Sequence, residues 1–175
     1  NGNGQLGTGD RTNLTINNKY HISGINGVQI AVGDYYSVIL SANGDVYTFG
    51  RNNYGQIGDG TNNDRFTPYK VLGLPRIKKI STNTGTILTL GVDGTVWAWG
   101  NNSYGQLGDG TSVNSSTPKK IEGLNNIVDI SIGLFHCLAL DIDGNVFGWG
   151  DNRYFQLTNK LPATDKRTPA IIENL

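Results

Sequence analysis

A pattern of short motifs recurs along this chain with a period of 50 residues. In three places an aromatic residue followed by glycine closes an apolar run, at Phe49-Gly50, Trp99-Gly100 and Trp149-Gly150. A period of this length predicts that one small unit of secondary structure is copied several times and that neighbouring copies stack. It also indicates that most of the conspicuous residues are needed to build the unit.

A glycine-rich motif follows the first two aromatic–glycine pairs, at Gly55–Gly58 and Gly105–Gly108. The chain also carries this motif at Gly4–Gly7 and, in altered form, at Phe155–Thr158, where two glycines are replaced. Such a loop could bind phosphate, but no Lys-Ser/Thr pair or helix pattern follows it. We therefore interpret it as a structural turn of the repeat.

The composition predicts an all-β protein and argues against several classes of function. Of the 175 residues 25 are glycine, and short β-rich runs are separated by Gly, Asn and Asp, which favour turns. The 14 Lys and Arg balance the 14 Asp and Glu, so nucleic acid is not an expected partner. No apolar run is long enough to cross a membrane, so no membrane partner is expected. The single cysteine, Cys137, excludes a multi-cysteine metal site, and we expect no cofactor.

The copy between Ile77 and Leu124 shows the strands of one unit. Four runs have strand character: Ile77–Ser81, Thr86–Leu90, Val96–Trp99 and Thr117–Ile121. The pair Asp93-Gly94 predicts a two-residue type I′ hairpin between the second and third strands. Pro118 cannot donate a hydrogen bond to a neighbouring strand, so the fourth strand should lie at the outer edge of its sheet.

Equivalent positions in the other copies predict a β-propeller segment. Units of four antiparallel strands that return to the same phase are typical of propeller blades, whose apolar faces are covered only by neighbouring blades. We expect a single segment over residues 1–175, with repeats at approximately 1–25 (partial), 26–74, 75–124 and 125–175. The partial repeat is expected to contribute an outer strand near Lys19–Ile22.

Several separated motifs resemble the RCC1 repeat, named for the regulator of chromosome condensation. The resemblance rests on Trp99–Gly108, Thr117-Pro118, Gly123-Leu124, Ile130–Gly133, His136–Leu140 and Asp143-Gly144. It implies a circular, seven-bladed propeller. Because this chain holds only three complete strand sets, we expect the ring to be completed by further repeats or by another chain. An open wedge of blades exposes two blade faces, which favours association.

We interpret the tryptophans and His136 of the repeat as structural residues. Trp97, Trp99 and Trp149 are core candidates, because each has an aromatic residue at the same register in the other copies. His136 aligns with Tyr36, and no nucleophile is paired with it, so a structural role is favoured over acid–base catalysis. We predict no catalytic residues and no enzyme activity.

The repeats disagree in the turn between the first and second strands and in the long loop after the third strand. Loops on a rigid frame often carry binding residues, and aromatic residues and arginine are effective contact anchors. We predict Tyr35, Tyr36, Phe135 and Arg65 as candidate partner-binding residues.

These observations favour a non-enzymatic scaffold that binds a protein partner. The resemblance implies two alternatives. One is a guanine-nucleotide exchange factor for a small GTPase, as the founding family member is for Ran. The other is a propeller-type enzyme inhibitor. The exchange activity belongs to a complete ring with a protruding wedge, and the sequence shows no clear insertion that could form one.

Overall fold

The computed structural model describes residues 1–15, 20–157 and 164–172, and it contains three antiparallel sheets of four strands each. The first sheet consists of β1 (Gly27–Gly33), β2 (Tyr36–Ser41), β3 (Val46–Gly50) and β4 (Arg65–Lys70). The second consists of β5 (Ile77–Thr82), β6 (Thr86–Gly91), β7 (Val96–Gly100) and β8 (Ser115–Lys120). The third consists of β9 (Ile127–Ile132), β10 (His136–Asp141), β11 (Val146–Gly150) and β12 (Lys166–Ile171). These sheets are the predicted blades, and the all-β prediction is confirmed.

Each blade is a meander in which consecutive strands are neighbours, for example in the order β5-β6-β7-β8. The strand carrying Pro118, β8, lies at the edge of its sheet, as predicted. It begins two residues before the expected Thr117 and ends one residue before the expected Ile121. Within the described ranges, no helix is long and apolar enough to span a membrane.

The hairpins between second and third strands differ from the predicted type. In the first blade Gly44 donates its N–H to the Ser41 carbonyl oxygen, and Ser41 donates to Asp45, each at 2.9 Å. Gly44 has a φ of +83°, but Asn43 is not among the residues with positive φ. A type I′ turn needs positive φ at both central residues. The loop therefore has three residues, with glycine in the left-handed conformation after a type I turn.

The core lies between blades, as the repeat predicts. Trp99 and Trp149 are fully buried, and their indole N–H groups donate to the carbonyl oxygens of Gln56 and Gln106 in the preceding blades, at 3.0 and 2.9 Å. Trp97 is only half-buried, contrary to its assignment to the core, because its side chain remains beside its own hairpin.

Cys137 belongs to the same core. It is fully buried, and its thiol donates to the Gln106 carbonyl oxygen at 3.4 Å. Burial raises the pKa of the Cys137 thiol, which keeps it protonated and unreactive. Cys137 therefore acts as a small packing residue between the second and third blades.

The partial first repeat supplies a loop that packs on the first blade. The Leu6 N–H donates to Asn1 Oδ1 at 2.9 Å, and the hydroxyl of Ser37 in β2 donates to the Gln5 carbonyl oxygen at 2.8 Å. The prediction of an outer strand near Lys19–Ile22 is wrong for Tyr20–Ile22, because these residues do not form a strand. Lys19 lies outside the described residues.

Candidate partner-binding rim

The variable turns and the long loops meet at one end of the three sheets. In each blade the first N–H of the long loop donates to the turn between the first two strands at 2.9 Å: Arg51 to Tyr35, Asn101 to Gly85, and Asp151 to Phe135. Strand direction alternates in an antiparallel sheet, so both segments lie at the same end. We call this end the long-loop rim.

A buried asparagine holds each of the first two long loops in shape. Asn102 Nδ2 donates to Asp109 at 3.1 Å and to the Thr111 carbonyl oxygen at 3.2 Å. Asn102 Oδ1 accepts from the Leu107 N–H at 2.8 Å, and Asn52 repeats this pattern in the first blade. Both asparagines are fully buried. They are not among the predicted site residues, although asparagine recurs at the same distance after each aromatic–glycine pair.

Asp109 ties the second long loop to β8. Its carboxylate accepts from Lys119 Nζ at 2.7 Å and from the Thr111 N–H and hydroxyl at 3.0 and 2.7 Å. Burial by itself would raise the pKa of Asp109, but the hydrogen bonds from Lys119 and Thr111 outweigh it and lower the pKa to about 2. The charged carboxylate therefore stabilises the folded state.

We expect the Asp109→Asn variant to be less stable than the wild type at neutral pH. An unfolded aspartate has a pKa of about 3.9, so the charge of Asp109 contributes stability above that pH. This contribution disappears as the pH falls from about 4 to about 2. Urea unfolding at a series of pH values measures the difference between the two proteins.

The control for this prediction is Asp143→Asn, which removes an exposed carboxylate at the opposite end of the third blade. As the pH falls from about 4 to about 2, the difference in unfolding free energy between the wild type and Asp109→Asn should become smaller. A difference that does not change with pH would contradict the role assigned to the charge.

Tyr35 is exposed in the turn between β1 and β2. It is 55% exposed, and its φ of +64° is a left-handed conformation that residues other than glycine rarely adopt. The Arg51 guanidinium lies 5.9 Å from the centroid of its ring, within the range of a cation–π contact. A strained backbone that holds an aromatic ring in solvent marks this turn as a functional candidate.

Tyr36 is a correction to the predicted site, because it is 1% exposed and unavailable to a partner. Its hydroxyl reaches the second blade, where it bonds to the Thr82 hydroxyl. The same hydroxyl donates to the carbonyl oxygens of Asn83 and Thr86 at 3.0 and 3.2 Å. Burial raises the pKa of Tyr36, so the phenol stays neutral. Tyr36 therefore joins two blades.

Phe135 lies in an aromatic cluster that bridges the second and third blades. Its ring is half-buried and packs on Tyr104, with centroids 4.6 Å apart and planes tilted by 36°. Arg153 lies 4.2 Å from the Tyr104 centroid and donates twice to Asp151, each time at 3.0 Å. Leu134, immediately before Phe135, is 62% exposed. The cluster presents a partly exposed apolar edge at the rim.

Arg65 begins β4 at the same end of the first blade, where it pairs with Gly50. Its Nε donates to Asp59 at 2.7 Å, and its guanidinium lies 4.8 Å from the Tyr69 ring centroid. The charge of Arg65 is thus already paired inside its own loop. Arg65 is half-buried, so only part of its side chain is accessible to a partner.

The structure places Tyr35 and Phe135 on the same rim but does not bring them into contact. They belong to the first and third blades, and Gly85 occupies the equivalent position in the second blade between them. They form two separate anchor points rather than one pocket. In the part of the chain that the structure describes, no group of three or more His, Cys, Asp or Glu residues could hold a metal ion.

Comparison with known sequences identifies the repeat. The family described as "Regulator of chromosome condensation (RCC1) repeat" matches residues 43–83 and 93–140. A second profile with the same description matches residues 28–56, 77–106 and 127–156. The human E3 ubiquitin-protein ligase HERC2 is 39% identical over 90 residues, which cover 47% of this chain and 2% of that protein. The zebrafish (Danio rerio) E3 ubiquitin-protein ligase MYCBP2 is 50% identical over 48 residues, covering 27% of this chain and 1% of that protein.

Solved structures show the same architecture. Human WBSCR16 superposes with a TM-score of 0.80 at 25% identity, covering 97% of this chain and 45% of that one. Prp20p of Saccharomyces cerevisiae superposes with a TM-score of 0.74 at 20% identity, covering 85% of this chain and 39% of that one. The chain therefore spans less than half the length of each of these two structures. The matched profiles, the blade topology and the recurring motifs together show that this chain belongs to the RCC1 repeat family.

Proposed function

We propose that this chain is a non-enzymatic scaffold that binds a protein partner at its long-loop rim. The observation that carries the proposal is Tyr35, whose exposed ring is held by a left-handed backbone where glycine would fit without strain. A conformation of this kind costs about 1–2 kcal/mol for a residue other than glycine. This conformational free-energy cost at an exposed residue is consistent with a role in binding rather than in folding.

The frame beneath the rim supports the proposal because buried contacts tie the loops and the blades together. The buried asparagines hold the loops from within, and Trp99, Trp149 and Tyr36 connect each blade to its neighbour. Rigid presentation lowers the entropy lost when a partner binds. Tyr35 and Phe135 are suitable anchors on such a frame, since aromatic residues contribute strongly at protein interfaces.

The structure offers less support for the nucleotide-exchange alternative, which depends on a protruding wedge. The long loops at 51–64 and 101–114 have equal length and share one hydrogen-bond scheme around Asn52 and Asn102. Neither of these two loops contains an inserted segment. The proposal therefore extends only to partner binding.

The test is a double variant, Tyr35→Gly with Phe135→Gly, compared with the wild type. Glycine occupies the equivalent position in the second blade, so the backbone accepts glycine at both sites, and thermal unfolding verifies that the double variant is folded. Partners are captured on immobilised wild-type chain from an extract of the source organism and identified by mass spectrometry. Each partner's affinity is then measured for both proteins. We expect the double variant to bind at least about tenfold more weakly, because interface aromatics often contribute more than 1 kcal/mol each.

The matched control is Val92→Gly, at an exposed hairpin on the opposite end of the second blade. It should leave partner affinity unchanged. Equal binding by the wild type and the double variant would show that the rim anchors are assigned wrongly.

A further inference from the structure

A short turn joins the first and second strands of each blade at the long-loop rim, and only the second blade begins this turn with a residue other than glycine. The first and third turns begin with Gly33 and Gly133, whereas the second begins with Asn83. An added Cβ would lie 2.0 Å from the ring of Tyr36 at the first of these glycines and 2.4 Å from the ring of His136 at the second. In the second blade a threonine takes the place of these rings, and its smaller size allows an asparagine side chain.

The Asn83 side chain uses its full hydrogen-bonding capacity. Its Oδ1 accepts from the N–H groups of Gly85 and Thr86 in its own turn, at 3.0 and 2.8 Å. Its Nδ2 donates to the carbonyl oxygens of Gly133 and Leu134 in the third blade, at 3.0 and 2.7 Å. A carboxamide has two N–H donors and an oxygen that accepts two bonds. One side chain therefore holds the turn of the second blade and contacts the turn of the third.

Asn83 does at the second blade junction what Tyr36 does at the first. The Tyr36 hydroxyl donates to the carbonyl oxygen of Asn83 at 3.0 Å, and Asn83 donates to the equivalent carbonyl oxygen of Gly133. The second bond differs between the junctions. Tyr36 reaches the Thr86 carbonyl oxygen, whereas Asn83 reaches Leu134, one residue further into the turn. Asn83 is thus bonded directly to the segment that carries a predicted anchor.

The turn that Asn83 contacts is held at three points. The carbonyl oxygen of Leu134 accepts from Asn83, and that of Phe135 accepts from the Asp151 N–H at 2.9 Å. The Phe135 ring packs on Tyr104, which belongs to the second blade. Two of these three contacts therefore come from the second blade, although its own turn carries no aromatic residue.

The surface that this turn presents is apolar, and the charges beside it are paired. Leu134 is 62% exposed, and Phe135 is half-buried. Arg153, which lies over the Tyr104 ring, donates twice to Asp151. Such a surface favours an apolar side chain of a partner, because the free energy gained by burying apolar area requires no opposite charge.

We propose that Asn83 is a positioning residue for partner binding, an inference that rests on the proposed function. Asn83 fixes the turn at 133–135 so that Leu134 and Phe135 together meet an apolar side chain of the partner. Without the Asn83 amide the turn samples other conformations, and binding must then order it at an entropic cost. Asn83 acts through this turn and not through a partner contact of its own.

The first measurement needs no partner and follows the Phe135 ring by NMR in the folded chain. Stacking on Tyr104 shifts the Phe135 ring protons through the ring current of the tyrosine. Asn83→Asp keeps the oxygen that accepts from the second turn but replaces the donor group. We expect the Phe135 ring protons of this variant to move toward the shifts of an unstacked phenylalanine. Unchanged shifts would overturn the positioning role.

The second measurement is the affinity for each partner captured on the wild type. Asn83→Asp and Asn83→Gly should each bind about tenfold more weakly, because two side chains lose their fixed placement. Glycine stands at the equivalent positions 33 and 133, so the backbone accepts it. The loss should be the same at low and high salt. A loss confined to Asp at low salt would indicate charge repulsion and contradict the proposal.

A double-mutant cycle shows whether Asn83 acts through the third turn. Leu134→Thr with Phe135→Gly gives the third blade the turn sequence of the second. In this background Asn83→Asp should cause no further loss of affinity, because the apolar contact is already gone. In a Tyr35→Gly background it should keep its effect of about tenfold. A full additional loss in the first background would mean that Asn83 acts elsewhere.

Asn43→Asp is the matched control, since it makes the same change in a hairpin at the opposite end, where the other blades have Asp93 and Asp143. It should bind like the wild type, and circular dichroism verifies that every variant is folded. If the Tyr35→Gly, Phe135→Gly double variant binds weakly but Asn83→Asp binds normally, only the role of Asn83 is wrong. If both bind like the wild type, the proposed function fails, and this inference fails with it.

Discussion

Replacing Trp99 with alanine will lower the free energy of unfolding by about 3–5 kcal/mol, the range found for large buried aromatic side chains. Trp99 is fully buried between the first and second blades, and its indole N–H donates to the Gln56 carbonyl oxygen at 3.0 Å. Truncation leaves a cavity between two sheets and a buried carbonyl without its donor. Urea unfolding followed by circular dichroism measures the loss.

Trp97→Ala is the matched control, because it removes the same side chain two residues away on the same strand. Trp97 is half-buried and donates to the Thr95 hydroxyl in its own blade at 2.9 Å. We expect this variant to lose about 1–2 kcal/mol, since less apolar surface returns to water. Equal losses for the two variants would refute the view that stability resides mainly between blades.

Gly100→Ala should destabilise the chain by about 2–5 kcal/mol, through an unfavourable backbone conformation and a steric clash together. Gly100 has a φ of +98°, and a Cβ at this position would lie 2.1 Å from the Gly85 carbonyl oxygen. The equivalent Gly50 and Gly150 have the same restriction. A Cβ added to Gly50 would lie 2.5 Å from the Tyr35 carbonyl oxygen, and one added to Gly150 would lie 2.4 Å from the Phe135 carbonyl oxygen. The cause is the tight approach of the loop to the turn at the rim.

Gly123→Ala separates the two contributions. Gly123 has a φ of +81° but nothing within 4 Å of an added Cβ, so only the backbone cost of about 1–2 kcal/mol applies. Chemical unfolding of both variants gives the difference. If Gly123→Ala were as destabilising as Gly100→Ala, the steric contribution at the rim would be absent.

Local patterns were sufficient to predict the strands of each blade. Alternating apolar residues and turn-forming pairs place β5, β6 and β7 within a residue of their observed limits. Pro118 predicted the edge position of β8, because proline has no N–H to donate to a neighbouring strand. The hairpin type was not predictable in the same way, because Asp-Gly suits both a type I′ turn and a three-residue loop with glycine in the left-handed conformation.

The candidate site was predicted only in part. Tyr35 and Tyr36 are identical neighbours in the sequence, yet one is 55% exposed and the other 1%. The difference arises because Tyr36 extends to Thr82 and Asn83, which are distant along the chain and adjacent only after the blades pack. Arg65 could not be recognised as internally paired, since its partner Asp59 approaches it only through the folding of the long loop.

The sequence alone determined the repeat, the number of strands per blade and their order, because each depends on residue types at short, regular spacing. Only the tertiary structure decided which equivalent residues are covered. Leu40, Leu90 and Leu140 share one residue type and one register, but only the first two have a following blade against them. Burial of a propeller face is a property of the neighbouring blade, and a repeat by itself does not specify where that neighbour is present.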